Sequence, residues 1–239
     1  MIKFTVILFI SEILVYSGTD GGGVFHYGPD ERTIYGWQVN LSENGTVKRT
    51  CNGLFIGPQV FLTYARCVEN LQANESISIV NTIYDTPSLR TDLTVKHENI
   101  YFGEYVNKIY SPTTRQFTLL ITDQRVLPKS KYMANTFVKL AAEPYNVDYK
   151  KCFVHKLAPP IISEVQCVFS NTTNINDGLL DCYCDEHYHI YEETSLFCHY
   201  RKTTGGMVLA GYVISRDAGH MTVVNLSGLN ITLMYNEWD

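Results

Sequence analysis

The stretch from Cys51 to Cys67 reads CNGLFIGPQVFLTYARC and carries the local patterns that decide the fold. Within it, Val60 to Tyr64 is rich in β-branched and aromatic residues, a composition typical of a strand. The dipeptide Asn52-Gly53 is a turn signal, because both residue types tolerate a left-handed backbone. Arg66 stands directly before the second cysteine. The stretch therefore predicts a turn followed by a short strand between two cysteines.

Short strand-like segments recur along the 239 residues, and no long helical period separates them. The other segments are Gln116 to Thr122, Thr136 to Leu140, Met207 to Ile214 and Met221 to Leu226. Further turn signals lie at Asn44-Gly45, Asp177-Gly178 and Gly205-Gly206. Many short strands predict an all-β barrel or sandwich, and periodicity alone does not distinguish the two.

The composition is that of a globular chain, with 45% hydrophobic residues and a formal net charge of -5. A length of 239 residues fits one large all-β unit or two small domains. The negative charge and the lack of a basic stripe do not favour nucleic acid or an anionic membrane surface as a partner. No internal repeat or low-complexity tract divides the chain.

Residues 1–18 are predicted to be a secretory signal peptide. Lys3 precedes a mostly apolar run from Phe4 to Tyr16, and Ser17 or Gly18 offers a small residue for cleavage. The run is too short for a membrane span, which needs about 20 apolar residues. An N-terminal core strand and an uncleaved anchor are the alternatives. Secretion would place the seven cysteines in an oxidising compartment.

Six Asn-x-Ser/Thr sequons are consistent with secretion, and each is a candidate N-glycosylation site. Chance sequons in an Asn-rich chain are the alternative explanation. The candidate acceptors are Asn40, Asn44, Asn74, Asn171, Asn225 and Asn230.

Several of these stretches together resemble the chymotrypsin/trypsin-like serine protease family. Gly36 to Leu41, GWQVNL, is similar to the family's Pro-Trp-Gln-Val-Ser-Leu strand, and Cys51 to Cys67 is similar to its first disulfide loop. Gln116 to Leu120 and Met207 to Ser215 resemble two further family strands. The resemblance implies an all-β fold of two six-stranded Greek-key barrels, the trypsin-like double β-barrel, with a short degenerate C-terminal segment.

The resemblance also implies the domain layout and the disulfides. Residues 19–239 would form one domain, with barrel one over about 24–130 and barrel two over about 131–239. The implied disulfide pairs are Cys51 with Cys67, Cys152 with Cys198 and Cys167 with Cys182. Cys184 is then left over, and it is free, pairs between molecules, or replaces Cys182 in its bridge.

The resemblance places the family's catalytic triad on residues that do not suit the reaction. Arg66 stands at the histidine position, Gln116 at the aspartate position and Glu192 at the serine position. An arginine has no acceptor for the serine proton, and glutamine carries no charge to orient an imidazole. A carboxylate at Glu192 would repel the anionic intermediate. No catalytic residue is assigned.

Other family features also depart. In the family, cleavage after a basic residue frees a new N-terminus that pairs with an aspartate. Here that N-terminus would fall near Gly23 to Tyr27, but no basic residue precedes it, and Tyr191 replaces the aspartate. Arg216 would fill the entrance of the specificity pocket. The segment Cys182 to His189 has metal-type ligands, but we interpret it as a disulfide and a solvated loop, and we expect neither a metal nor a cofactor.

The sequence thus predicts a secreted, inactive arthropod-type serine protease homologue that acts by binding an extracellular protein, such as a protease or a component of a protease cascade. A role as a seminal or salivary protein is included. The alternative is an active endopeptidase of unusual chemistry, with Ser195 as nucleophile and His187, His189 or His199 recruited as base. If the barrels keep the usual arrangement, Arg66 and Glu192 would form a buried ion pair bridged by Gln116.

Overall fold

The computed structural model describes residues 37–81, 93–103, 116–126, 138, 140–141, 143–157, 160–170, 178–184, 194–201, 207–217 and 219–227. Some predictions fall outside these ranges. They concern the signal peptide 1–18, the activation region Gly23 to Tyr27, Gly205-Gly206, the C-terminal residues 228–239, and the site residues Asn171, Glu192 and Asn230.

The first half of the described chain forms a closed antiparallel barrel, barrel one, with the strand order β1-β2-β3-β6-β5-β4. Its members are β1 (Trp37–Glu43), β2 (Thr46–Phe55), β3 (Val60–Tyr64), β4 (Glu75–Asn81), β5 (Leu93–Phe102) and β6 (Phe117–Thr122). One short helix, α1 (Ala65–Val68), follows β3. Since β4 returns beside β1 after three hairpin-connected strands, the connectivity is a Greek key.

The second half repeats this arrangement as barrel two, with the strand order β10-β11-β12-β9-β8-β7. Its members are β7 (Val147–Leu157), β8 (Pro160–Phe169), β9 (Leu179–Tyr183), β10 (Ser195–Tyr200), β11 (Met207–Asp217) and β12 (His220–Asn225). A 3₁₀ turn (Pro144–Asn146) precedes β7. The prediction of two six-stranded Greek-key barrels is confirmed.

The strand predictions agree closely with the observed bounds. The predicted strand Val60 to Tyr64 coincides with β3, and the predicted segments at 116–122, 207–214 and 221–226 match β6, β11 and β12 with shifted ends. Of the segment 136–140, only Val138 and Leu140 are described, and Leu140 forms an isolated parallel bridge with Leu209.

The two Asn-Gly dipeptides take opposite roles. Asn44 and Gly45 have φ angles of 51° and 78° and join β1 to β2 in a two-residue turn, as predicted. Asn52-Gly53, in contrast, lies inside β2, so its prediction as a turn is wrong. A Cβ atom on Gly53 would stand 2.2 Å from Phe61 Cε1 and 2.5 Å from the Leu62 carbonyl oxygen. Glycine is therefore required there for close packing against β3.

Three apolar clusters stabilise the fold. One fills barrel one around Trp37 and Phe55, and another fills barrel two. The third joins the barrels: Leu62 and Tyr64 of β3 belong to the same buried cluster as Tyr212 of β11 and Phe197 of β10. The relative position of the barrels is thus set by apolar burial, the main driving force of folding.

Three disulfides form, Cys51–Cys67, Cys152–Cys198 and Cys167–Cys182, the pairs that the resemblance implied. All six of these cysteines are buried. Cys184 is half-buried and has a free thiol, so it does not replace Cys182. No helix in the described ranges is long and apolar enough to cross a bilayer.

Candidate functional site

Arg66 lies on the one-turn helix α1, at the end of β3. The chain leaves the strand at Tyr64 in an extended conformation, and the helix closes with a 2.9 Å hydrogen bond from the Glu69 amide to the Ala65 carbonyl. Ala65, Cys67 and Val68 are buried, which leaves Arg66 as the exposed residue of the turn. The Cys51–Cys67 disulfide ties this turn to β2.

Arg49, on β2, holds the carbonyl groups of the helix. Its Nη1 donates hydrogen bonds to the carbonyl oxygens of Arg66, at 3.2 Å, and Cys67, at 2.9 Å. The last carbonyls of a helix have no partner within it, and a cationic side chain is a favourable donor to them. The guanidinium carbon of Arg66 itself lies 5.8 Å from the centre of the Tyr64 ring, within cation–π range.

Gln116 lies beside the same helix. It directly precedes β6, and the next residue, Phe117, pairs with Tyr64 at the end of β3. Because Arg66 follows Tyr64 by two residues, the structure brings Arg66 and Gln116 to the same end of two neighbouring strands. Both side chains are exposed. We call this surface, formed by Arg66, Gln116 and the Arg49 that supports α1, the Arg66 end of barrel one.

The third triad position, Glu192, lies in the segment 185–193, outside the described residues. Its pairing with Arg66 therefore stays a prediction. The expected burial of that pair is wrong on the Arg66 side, because Arg66 and Gln116 face solvent at the end of the barrel rather than its interior. The Arg66 half of the expected pair therefore lies at the surface.

The Arg66 end has no group suited to proton transfer at the two described triad positions. A guanidinium offers five donors and stays charged below a pH of about 12, and a carboxamide is neutral. Neither accepts a proton at neutral pH. These two side chains can donate hydrogen bonds to an anionic or carbonyl group, which is chemistry for binding.

Ser195, the residue considered as a replacement nucleophile, is the first residue of β10. It pairs with Tyr212 of β11, and its side chain forms a hydrogen bond with the Tyr212 hydroxyl. Tyr212 is buried, and that burial raises its pKa well above the ordinary value of 10.0, while the Ser195 hydrogen bond opposes the rise. The Ser195 hydroxyl therefore has a structural partner on the neighbouring strand.

Of the histidines considered as a base for Ser195, only His199 is described. It lies four residues further along β10 and is exposed. At about 3.3 Å per residue the two residues are roughly 13 Å apart, which is too far for proton transfer. His187 and His189 lie outside the described residues.

Arg216 is half-buried near the end of β11, where it pairs with Met221 of β12. Tyr191, the residue at the position of the activation aspartate, lies outside the described residues. In the segment Cys182 to His189, Cys182 is a disulfide partner, and residues beyond Cys184 are not described. Within the described ranges, no three His, Cys, Asp or Glu side chains group together as metal ligands.

The predicted acceptor asparagines differ in their surroundings. Asn44 and Asn74 are exposed, Asn40 is half-buried within β1, and Asn225 is buried at the end of β12. Asn225 also takes part in a polar cluster that the sequence did not reveal. The Tyr149 hydroxyl lies 2.6 Å from Ser227 Oγ and 3.4 Å from Asn225 Oδ1. Tyr149 is 76 positions from Asn225 in sequence, so only the fold brings it to this sequon.

Comparison with solved structures identifies the architecture. The chain is similar to a mutant of human heparin binding protein, with a TM-score of 0.60 and 12% sequence identity. The match covers 90% of this chain and 94% of the other. The fold is the trypsin-like double β-barrel. At this identity the likeness shows the fold alone, and no protein-family model and no curated protein sequence matches the chain.

Proposed function

We propose that the chain is a secreted, catalytically inactive serine protease homologue that acts through protein binding. The observation that carries the proposal is Arg66. On a trypsin-like double barrel it occupies the turn after β3 where the family resemblance puts the proton-accepting histidine, and it is held there by Arg49 and the Cys51–Cys67 disulfide. An arginine on this turn can bind but cannot act as the base.

The inference that catalysis is lost does not rest on Arg66 alone. Gln116, at the aspartate position, lies at the same end of two neighbouring strands as Arg66, and Glu192 is aligned with the serine. In a comparable protease, loss of the serine or the histidine alone costs about a millionfold in kcat. Replacement of all three positions supports an inactive protein even if one alignment is displaced by a residue.

Secretion is supported by the disulfides. Three buried disulfides are typical of an oxidising compartment, where glutathione does not keep thiols reduced. The apolar N-terminal run and the six sequons of the sequence agree with this location. We therefore propose that the protein is extracellular and, from the family resemblance, that it is an arthropod-type homologue.

The proposed partner is an extracellular protein, such as a protease or a member of a protease cascade, in body, seminal or salivary fluid. The exposed guanidinium of Arg66 and amide of Gln116 supply hydrogen-bond donors for such a surface. The structural neighbour is named for heparin binding. The net charge of -5 does not favour a polyanion as the ligand of this chain.

Active-site labelling tests the inactive state. The full chain, secreted from eukaryotic cells, is incubated with a fluorophosphonate that labels reactive serines, and with a mixture of fluorogenic peptides. Trypsin serves as the positive control and heat-denatured protein as the background. We expect labelling and turnover at background. Labelling that a serine protease inhibitor abolishes would overturn the proposal.

The alternative is an active endopeptidase that uses non-standard residues, with Ser195 as its nucleophile. The backbone of Ser195 pairs with that of His155 on β7 as well as with Tyr212. If labelling occurs, Ser195→Ala is the variant that tests this alternative, because it removes the hydroxyl and leaves the strand intact. Labelling that survives Ser195→Ala would assign the nucleophile elsewhere.

Partner binding is tested separately from activity. The purified chain is added to a panel of trypsin-like proteases and their zymogens, and the rates of activation and of peptide cleavage are measured with and without it. Arg66→Ala, an exposed change that spares the core, is the matched variant. We expect the wild-type chain to change the activation or cleavage rate of one protease or zymogen in the panel. Arg66→Ala should produce a smaller change. Unchanged rates across the panel would remove the protease partner from the proposal.

A further inference from the structure

The sequon at Asn44 lies at the tip of the β1–β2 hairpin. Asn44 has a left-handed backbone with φ of 51°, a conformation that asparagine adopts more readily than most residues. Both Asn44 and Thr46, the hydroxyl residue of its sequon, are exposed. A sugar attached to this exposed side chain would project into solvent.

The sequon at Asn74 lies next to it. Glu43, the last residue of β1, pairs with Glu75, the first residue of β4. Asn44 follows Glu43 and Asn74 precedes Glu75, so the two acceptors extend the same cross-strand pair. Asn74 is exposed, and its Nδ2 donates a 2.7 Å hydrogen bond to Glu43 Oε1. The two acceptors therefore share one end of barrel one.

The sequon at Asn225 has the opposite environment. Asn225 is only 9% exposed, and its Oδ1 accepts hydrogen bonds from both the amide and the hydroxyl of Ser227, the sequon's own third residue. This is an Asx turn, in which the side chain replaces a backbone acceptor. The backbone N–H of Asn225 donates to the Gly178 carbonyl oxygen, and the backbone N–H of Leu226 donates to the Ala210 carbonyl oxygen. The residue is thus fixed on its backbone and side chain.

We propose that Asn44 and Asn74 carry a neighbouring pair of N-linked glycans, whereas Asn225 is unmodified and forms the Asx turn that ends β12. The proposal rests on the secretion in the proposed function. In the reaction, Nδ2 attacks the anomeric carbon of a lipid-diphosphate-linked oligosaccharide. The C–N bond forms, the bond from that carbon to the diphosphate oxygen breaks, and Nδ2 loses one proton while the lipid diphosphate leaves.

The existing contacts of Asn74 are compatible with this product. A glycosylated Nδ2 keeps one hydrogen, so it can still donate to Glu43. Glu43 is held on its other oxygen by Lys48, whose Nζ lies 3.5 Å away. A glycan on Asn225, in contrast, would have to leave a buried site and break the turn with Ser227. The two glycans would cover the β1 and β4 side of this barrel end, which the strand order places opposite β3 and β6, the strands next to Arg66 and Gln116.

Glycosylation-site mapping tests the proposal. The full chain is secreted from eukaryotic cells behind a heterologous leader, so acceptor use is measured independently of the native signal peptide and of any protease activity. The glycans are removed enzymatically in heavy-oxygen water, which converts each glycosylated asparagine into labelled aspartate, and the peptides are analysed by mass spectrometry. We expect label at Asn44 and Asn74 and none at Asn225. Label at Asn225, or its absence from either of the other two, would overturn the proposal.

Sequon variants give a second readout by intact mass. Thr46→Val and Ser76→Ala each remove the hydroxyl that the sequon requires and leave the acceptor asparagine in place. We expect each to lose the mass of one glycan and their combination to lose two. Ser227→Ala should leave the glycan mass unchanged, and a loss of one glycan in that variant would contradict the assignment. If Ser227→Ala is not secreted, the glycosylation-site mapping of the wild-type chain decides whether Asn225 is modified.

Discussion

The Tyr212 hydroxyl of barrel two donates a hydrogen bond of 3.3 Å to the Leu62 carbonyl oxygen of barrel one. The two residues are 150 positions apart in sequence, and the bond is buried. The Tyr212 ring also lies 4.6 Å, centre to centre, from the ring of Tyr64. Because Arg66 follows Tyr64 by two residues, this contact fixes the position of the second barrel relative to the Arg66 end.

Tyr212→Phe should lower the free energy of unfolding by about 1 to 2 kcal/mol. The ring and its packing remain, but the change removes one buried hydrogen bond to Leu62 and leaves the Ser195 hydroxyl without its tyrosine partner. Urea denaturation monitored by tyrosine and tryptophan fluorescence measures the difference. A variant as stable as the wild type would show that apolar packing alone joins the barrels.

The same tyrosine should also make the protein sensitive to alkali. Burial raises the pKa of Tyr212 above the 10.0 of an exposed tyrosine, and burial raises that of Tyr149 as well. The unfolded chain therefore releases these protons at lower pH than the folded one. Their contribution to stability is complete below pH 10 and decreases as the pH rises above it, by up to about 1.4 kcal/mol per pH unit for each group.

Thermal melts between pH 7 and pH 11 measure this dependence. Tyr212→Phe should lose stability less steeply above pH 10 than the wild type, although it is less stable at neutral pH. Equal slopes for the two proteins would mean that Tyr212 ionises as readily in the folded as in the unfolded state.

Gly53→Ala should cost about 3 kcal/mol or more, whereas Gly45→Ala should cost about 1 to 2 kcal/mol. A Cβ on Gly53 meets both the Phe61 ring and the backbone oxygen of Leu62, and a backbone atom cannot rotate away. A Cβ on Gly45 meets nothing within 4 Å, so only its left-handed backbone is unfavourable. Chemical denaturation of both variants tests the order, and the reverse order would contradict the role of Gly53.

This pair also shows what the sequence could predict. Locally, Asn44-Gly45 and Asn52-Gly53 carry the same turn signal, and only the first forms a turn. The second dipeptide is extended because β2 must pass close to Phe61, a requirement that arises only when β3 packs against it. Strand composition and the family resemblance predicted both barrels, since these depend on patterns that extend over many residues.

The candidate site was predictable only in part. The resemblance assigned Arg66 and Gln116 to triad positions through the first disulfide loop and the strand at 116–120, and the structure brings both residues to the same end of two neighbouring strands. Their exposure was not predicted. The contacts of Arg49 with α1 and of Tyr149 with Ser227 depend on which side chains meet across the folded barrels, and no local pattern encodes them.

Cys184 should be the single reactive thiol of the native protein. The other six cysteines are in disulfides, and Cys184 is half-buried on the strand end next to Gly219, whose carbonyl accepts its amide hydrogen at 3.0 Å. A maleimide should add once per chain, and Cys184→Ser should abolish the addition while changing stability by less than about 1 kcal/mol. Mass spectrometry measures the addition. A dimer on a non-reducing gel that Cys184→Ser removes would instead establish pairing between molecules.

A double-mutant cycle on Arg66 and Glu192 tests their ion pair. A buried pair would cost about 3 to 5 kcal/mol when one partner is removed. Arg66 is exposed, so the coupling energy of a pair with Glu192 should be about 1 kcal/mol or less. The stabilities of Arg66→Ala, Glu192→Ala and the double variant give this energy directly.

Salt provides the control for this cycle. A surface pair is screened, so the coupling should decrease between about 0.01 M and 1 M salt, over which the Debye length falls from about 30 Å to about 3 Å. Gln116→Ala, which removes a neutral side chain at the Arg66 end of barrel one, should leave the salt dependence unchanged. If the effects of the two single variants on stability add at low salt, no pair exists. A coupling energy above about 3 kcal/mol that salt does not reduce would mean that Glu192 draws Arg66 into a buried site.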